Sequence, residues 1–60
     1  MRTNLFINGK RATKKEVLAL VGAYRLDKMI SKAKNTYAND PNIQNDFYVL
    51  GGTMLTISFS

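Results

Sequence analysis

Sixty residues, 45% of them hydrophobic, with nine Lys and Arg against four Asp and Glu, describe one small basic domain spanning residues 1–60. Cys, His and Trp are all absent, which excludes disulfides and leaves only oxygen ligands for a metal, so neither a covalent or zinc staple nor a cofactor is expected. The longest apolar run, Val17 to Val21, is too short for a signal peptide or a membrane span, and a cysteine-free chain fits a soluble, cytoplasmic protein.

The chain opens on an extended segment, Thr3 to Asn8, followed by a tight turn at Asn8-Gly9-Lys10. Thr13-Lys14-Lys15-Glu16 has the spacing of a capping box, in which the Thr hydroxyl and the Glu carboxylate each satisfy a backbone N–H at a helix start. The first helical stripe is Val17, Leu20, Val21 and Tyr24. At 100° per residue the second stripe, Leu26, Met29, Ile30, Ala33 and Tyr37, falls about 170° away from it. One straight helix cannot bury both stripes against one sheet. The spacing therefore predicts two helices, residues 14–22 and 26–37, with a turn at Gly22, Ala23 and Tyr24 and Gly22 in a left-handed cap. A single long helix buried on two sides is the alternative.

Asn39-Asp40-Pro41-Asn42 ends the helical region, and two strands follow over 46–50 and 53–59. Leu55, Ile57 and Phe59 alternate with Met54, Thr56 and Ser58. A three-residue loop of Leu50, Gly51 and Gly52 would bring Phe47 and Val49 to the inner face, whereas a two-residue Gly51-Gly52 turn would pair Tyr48 with Leu55 and turn Phe47 outward. The longer loop keeps more apolar surface inside and is the preferred reading. The expected architecture is α+β, order β-α-α-β-β, with two helices on one face of a small antiparallel sheet that ends in a β-hairpin. Its expected core is Leu5 or Phe6, Ile7, Val17, Leu20, Val21, Leu26, Met29, Ile30, Phe47, Val49, Leu55, Ile57 and Phe59.

Charge is distributed unevenly. Residues 1–34 hold all nine basic residues with only Glu16 and Asp27 against them, a net of +7, while residues 35–60 hold only Asp40 and Asp46, a net of −2. A one-sided positive surface attracts phosphate backbones or an acidic protein partner. With no His or Cys, and no base evident beside Ser31, Ser58 or Ser60, catalysis is not expected, and no small-molecule substrate or membrane partner is implied.

The second helix is the stronger candidate. Arg25, Lys28, Ser31, Lys32 and Asn35 fall on the face opposite Leu26, Met29, Ile30 and Ala33. Such a helix can enter a major groove of double-stranded DNA, with cations on phosphates or guanine edges and Asn35 on adenine. Lys14 and Lys15, at the start of the first helix, would touch the backbone, where free helix amides also favour phosphate.

This pattern resembles the winged helix-turn-helix of small excisionase-like DNA-binding proteins of phages and transposons. The capped helix from Thr13, the break at Gly22-Ala23-Tyr24, the helix through Leu26-Asp27-Lys28-Met29-Ile30 and the glycine-turned hairpin from Phe47 to Phe59 carry the resemblance, over about residues 11–59. It implies a second helix in the major groove, a hairpin wing beside it, and a role in recombination or transcription of mobile elements. The alternative is a protein-interaction or homodimerising module. It would bind through an outer sheet face of Tyr48, Met54 and Thr56 or through an exposed edge of the final strand.

Overall fold

The computed structural model describes residues 2–60. Strands β1 (Thr3–Ile7) and β2 (Lys10–Ala12) form a first hairpin. Helices α1 (Lys14–Val21) and α2 (Ala23–Asn39) follow, and strands β3 (Asn45–Leu50) and β4 (Thr53–Phe59) form a second hairpin. The sheet is antiparallel throughout, in the order β2-β1-β4-β3. The architecture is α+β as expected, with one strand, β2, added between the opening strand and the helices. Residues Lys10-Arg11-Ala12 show no alternation of their own. They pair because Asn8 and Gly9 both adopt positive φ, 52° and 81°, which is what a two-residue primed hairpin turn requires. Asn8 also ties this turn to β4: its N–H donates to the Met54 carbonyl at 2.8 Å and its Oδ1 accepts from the Met54 N–H at 2.9 Å.

The capping box forms as the spacing predicts, with the Glu16 N–H donating to Thr13 Oγ1 at 3.2 Å and the Thr13 N–H donating to Glu16 Oε1 at 3.1 Å. The predicted break between two helices also forms, but it is narrower than a three-residue turn. Gly22 alone separates them: its N–H closes the last bond of α1 on the Leu18 carbonyl at 2.8 Å, and its carbonyl accepts the first bond of α2 from the Leu26 N–H at 3.0 Å. Its φ of 85° and ψ of 156° are not the left-handed cap expected. They lie in an extended region at positive φ that is essentially restricted to glycine. Ala23 and Tyr24 consequently belong to α2 rather than to a turn.

This single kink resolves the phase conflict. Val17 and Val21 of α1 and Leu26 and Ala33 of α2 join Leu5, Leu55, Ile57 and Phe59 in one buried cluster. The Tyr37 ring packs on Phe59 with centroids 5.4 Å apart. Met29, Ile30 and Ile7 are half-buried around the cluster, and Phe6 alternates to the other side of the sheet from Leu5. Leu20 is exposed, contrary to expectation, because α1 turns Leu18 rather than Leu20 toward the core.

The second hairpin departs most from the sequence reading. Leu50 pairs with Thr53 and Tyr48 with Leu55, so the loop is the two-residue Gly51-Gly52 turn, with φ of 53° and 87° at its central residues. The preferred three-residue loop needs only one residue at positive φ. Two consecutive glycines admit the primed turn without strain, and its twist matches that of the strands. The register then sends Phe47 and Val49 outward, leaving them 60% and 73% exposed, and brings Tyr48 and Leu50 inward against the core. Moreover, β4 is a central strand between β1 and β3, so it offers no free edge; the outer strands are β2 and β3.

The Gly22 geometry yields a direct test. A Cβ at Gly22 would meet nothing within 4 Å, so any cost of Gly22→Ala is torsional rather than steric. The variant is expected to lose about 1–3 kcal/mol, read as a lower urea midpoint at unchanged m-value. An unchanged midpoint would show that the joint tolerates a side chain and does not fix the helix phase.

Candidate nucleic-acid interface

Helix α2 is 17 residues long, about 25 Å at 1.5 Å per residue. Its inward anchors are Leu26, fully buried, and Ala33, 2% exposed. Residues about 100–180° around the helix from these anchors point into solvent, and the structure accordingly exposes Arg25, Lys28, Ser31, Lys32 and Asn35 together on the outer side of one helix. Tyr24 joins them, 72% exposed, although the sequence placed it in the inner stripe of α1. Because α2 restarts at Ala23, Tyr24 lies one turn before Lys28, whose Nζ sits 4.6 Å from the ring centroid. The contact holds the ammonium over an aromatic face without neutralising it. The Tyr24-to-Lys28 spacing is visible in the sequence, but it has meaning only once the helix start is known.

The expected backbone contacts divide. Lys14 and Ser31 line a cleft of about 490 Å³ between α2, the start of α1 and the β1–β2 hairpin, together with Arg11, Lys34 and Asp27. Arg11 and Lys34 did not stand out from the sequence, because only the tertiary fold brings the first hairpin beside α2. Lys15 is exposed on the first turn of α1. The capping box engages the Glu16 N–H of α1 and the Thr13 N–H before it, and it sets the Glu16 carboxylate at that helix start.

Three of the four carboxylates are engaged by uncharged partners. Glu16 binds Thr13, Asp40 Oδ1 accepts from the Asn42 N–H at 3.1 Å, and Asp46 Oδ2 accepts from the Tyr48 hydroxyl at 2.9 Å. Those three carboxylates sit at a cap, a turn and the inner side of β3, while the fourth, Asp27, is exposed on α2 on the side of the cleft. Among the described residues no cluster of His, Cys, Asp or Glu is grouped to hold a metal, and no helix is long and apolar enough to cross a membrane.

Of the three residues expected on the outer sheet face, Met54 and Thr56 are there and Tyr48 is not. Tyr48 points inward, and its hydroxyl has the Met29 carbonyl at 3.4 Å as a second acceptor beside Asp46. Phe47 and Val49 take its place on the outer face. No protein family, no curated protein and no solved structure matches the chain, so the geometry and its chemistry carry the functional reading.

Burial, then the hydrogen bond to Asp46 and the nearby charge of Asp46, push the Tyr48 hydroxyl from 10.0 up to about 12. The fold thus holds the phenol neutral more strongly than the unfolded chain does. The resulting stability is complete below pH 10.0 and is lost as the pH rises toward about 12. Tyr48→Phe removes that component, so its thermal midpoint should fall less steeply than that of the parent over this range. Parallel pH profiles would contradict the inward, Asp46-bonded placement.

Proposed function

We propose that the chain is a small, non-enzymatic DNA-binding accessory module that lays the outer side of α2 in the major groove of a duplex, in the manner of the excisionase-like proteins of phages and transposons that its sequence resembles. The observation that carries this reading is the joint exposure of Arg25, Lys28, Ser31, Lys32 and Asn35 on the side of α2 opposite Leu26 and Ala33. A helix with side chains is about 10–12 Å across and the major groove is about 12 Å wide. Arg25, Lys28 and Lys32 supply charge for phosphates or guanine edges, and the Asn35 amide suits the paired donor and acceptor of adenine. The reading rests on α2 rather than on a wing, since the β3–β4 hairpin contains no Lys or Arg and lends its inner side to the core.

Four phosphate contacts, from Arg25, Lys28, Lys32 and Lys15, would give a slope of about −3 to −4 for log affinity against log salt. Lys28→Glu with Lys32→Glu should flatten that slope by about 2 and weaken duplex binding at least about tenfold, measured by fluorescence anisotropy on a labelled duplex. Undetectable duplex binding at about 50 mM salt, where non-specific contacts already register, would refute the proposal. So would a double variant that binds like the parent.

A further inference from the structure

The outer face of the sheet, on the side away from both helices, has its own composition. The pairing places Arg11, Phe6, Thr56 and Phe47 in one row across all four strands. Asn4, Ser58 and Asn45 form the row on one side of it, and Met54 and Val49 the row on the other. Backbone bonds between Arg2 and Ser60, at 2.7 and 3.0 Å, continue the ladder by one pair, and alternation assigns Arg2 to the same face. Among the described residues this face carries two arginines and no carboxylate, Asp46 being turned inward to Tyr48.

We infer that this face binds single-stranded nucleic acid, with bases stacked on Phe6 and Phe47 and phosphates held by Arg11 and Arg2. Phe6 and Phe47 are separated by one intervening strand, so their strands lie about 10 Å apart. Bases kept in a helical stack rise only about 3.4 Å, so a strand that reaches both rings must be unstacked and splayed, which a duplex is not. Small Thr56 between the rings leaves room for a base on each. Arg11 is already positioned: its Nη2 donates to Asn4 Oδ1 at 2.9 Å, and Asn4 Nδ2 donates in turn to Ser60 Oγ at 3.1 Å. That bond uses one of five guanidinium donors and leaves the others for phosphate.

A second copy of the chain suits the face less well. Four strands about 4.8 Å apart and about five residues long present only roughly 300–400 Å² in projection, a small face for two chains to share. Two such faces would also both be positively charged, with no carboxylate among the described residues of either to offset it. A few nucleotides match both the size and the charge. Its two rings lie on the opposite side of the sheet from α2; Arg11 and Asn4 also border the cleft beside α2, so Phe47, which does not, is the residue that separates this site from the duplex reading.

The test is anisotropy of labelled eight-nucleotide oligo(dT) and oligo(U), with a duplex as control and light scattering for mass, on the full chain at about 50 mM salt. The parent is expected to bind both single strands as a monomer. Phe47→Ala, at an exposed position, should weaken that binding about 5- to 100-fold while its duplex affinity and thermal midpoint stay unchanged. Arg11→Ala should flatten the single-strand salt slope by about 0.7. Conversely, Lys28→Glu with Lys32→Glu is expected to act on the duplex more than on the single strand. If no single strand binds, or Phe47→Ala binds it like the parent, the inference is overturned. A parent dimer that Phe47→Ala splits without altering single-strand affinity overturns it too, and gives the face to a second copy.

Discussion

The fold depends on one torsional constraint, the pair of angles at Gly22. The apolar stripes of the two helical segments are about half a turn out of phase, and a continuous helix would turn one of them to solvent. An extended residue at positive φ, open in practice to glycine alone, re-aims the chain in one step, so that Val17, Val21, Leu26 and Ala33 share the cluster with Leu5, Leu55, Ile57 and Phe59. Full burial of one Leu, Ile or Val side chain is worth about 1.5–3 kcal/mol, and Leu26, Leu55, Ile57 and Val17 are all essentially inaccessible. In a chain this short, that core leaves no room for a second buried face. Both helices lie on one side of the sheet, the other side stays bare, and the outer side of α2 stays free of protein contacts that would bury its cations.

The same logic shows why parts of the structure could be read from the sequence. The capping box from Thr13 to Glu16 is a local pattern, and it forms as the residue types dictate. The basic and polar set Arg25, Lys28, Ser31, Lys32 and Asn35 holds its relative phase wherever α2 begins, so its grouping survives an error of three residues in the helix start. Tyr24 does not: whether it ends one stripe or faces Lys28 depends on the single residue at which the helix restarts. Strand β2 is too short to show a period, and it exists because the Asn8-Gly9 turn folds it back onto β1.

The register of the last hairpin was a contest between two forces, and the local one prevailed. Burying Phe47 and Val49 would remove more apolar surface from water, yet the Gly51-Gly52 pair selects a two-residue primed turn and so fixes the alternate face. Tyr48 and Leu50 go in instead, with the Tyr48 hydroxyl satisfied by Asp46. Two aromatic rings, Phe6 and Phe47, are thereby placed on the bare side of the sheet with Arg11. The molecule thus presents a basic helix on one side and an aromatic, arginine-bearing sheet on the other, the two surfaces to which the proposed duplex and single-strand binding are assigned.

The most direct measurement of the proposed duplex-binding role of α2 is residue-resolved. In a titration of the 15N-labelled chain with duplex DNA, followed by amide chemical shifts, the perturbed signals should cluster on residues 24–35 of α2 and on Lys15, and leave β3 and β4 unmoved. Shifts confined to the sheet strands, or no shifts at all, would contradict an α2 interface.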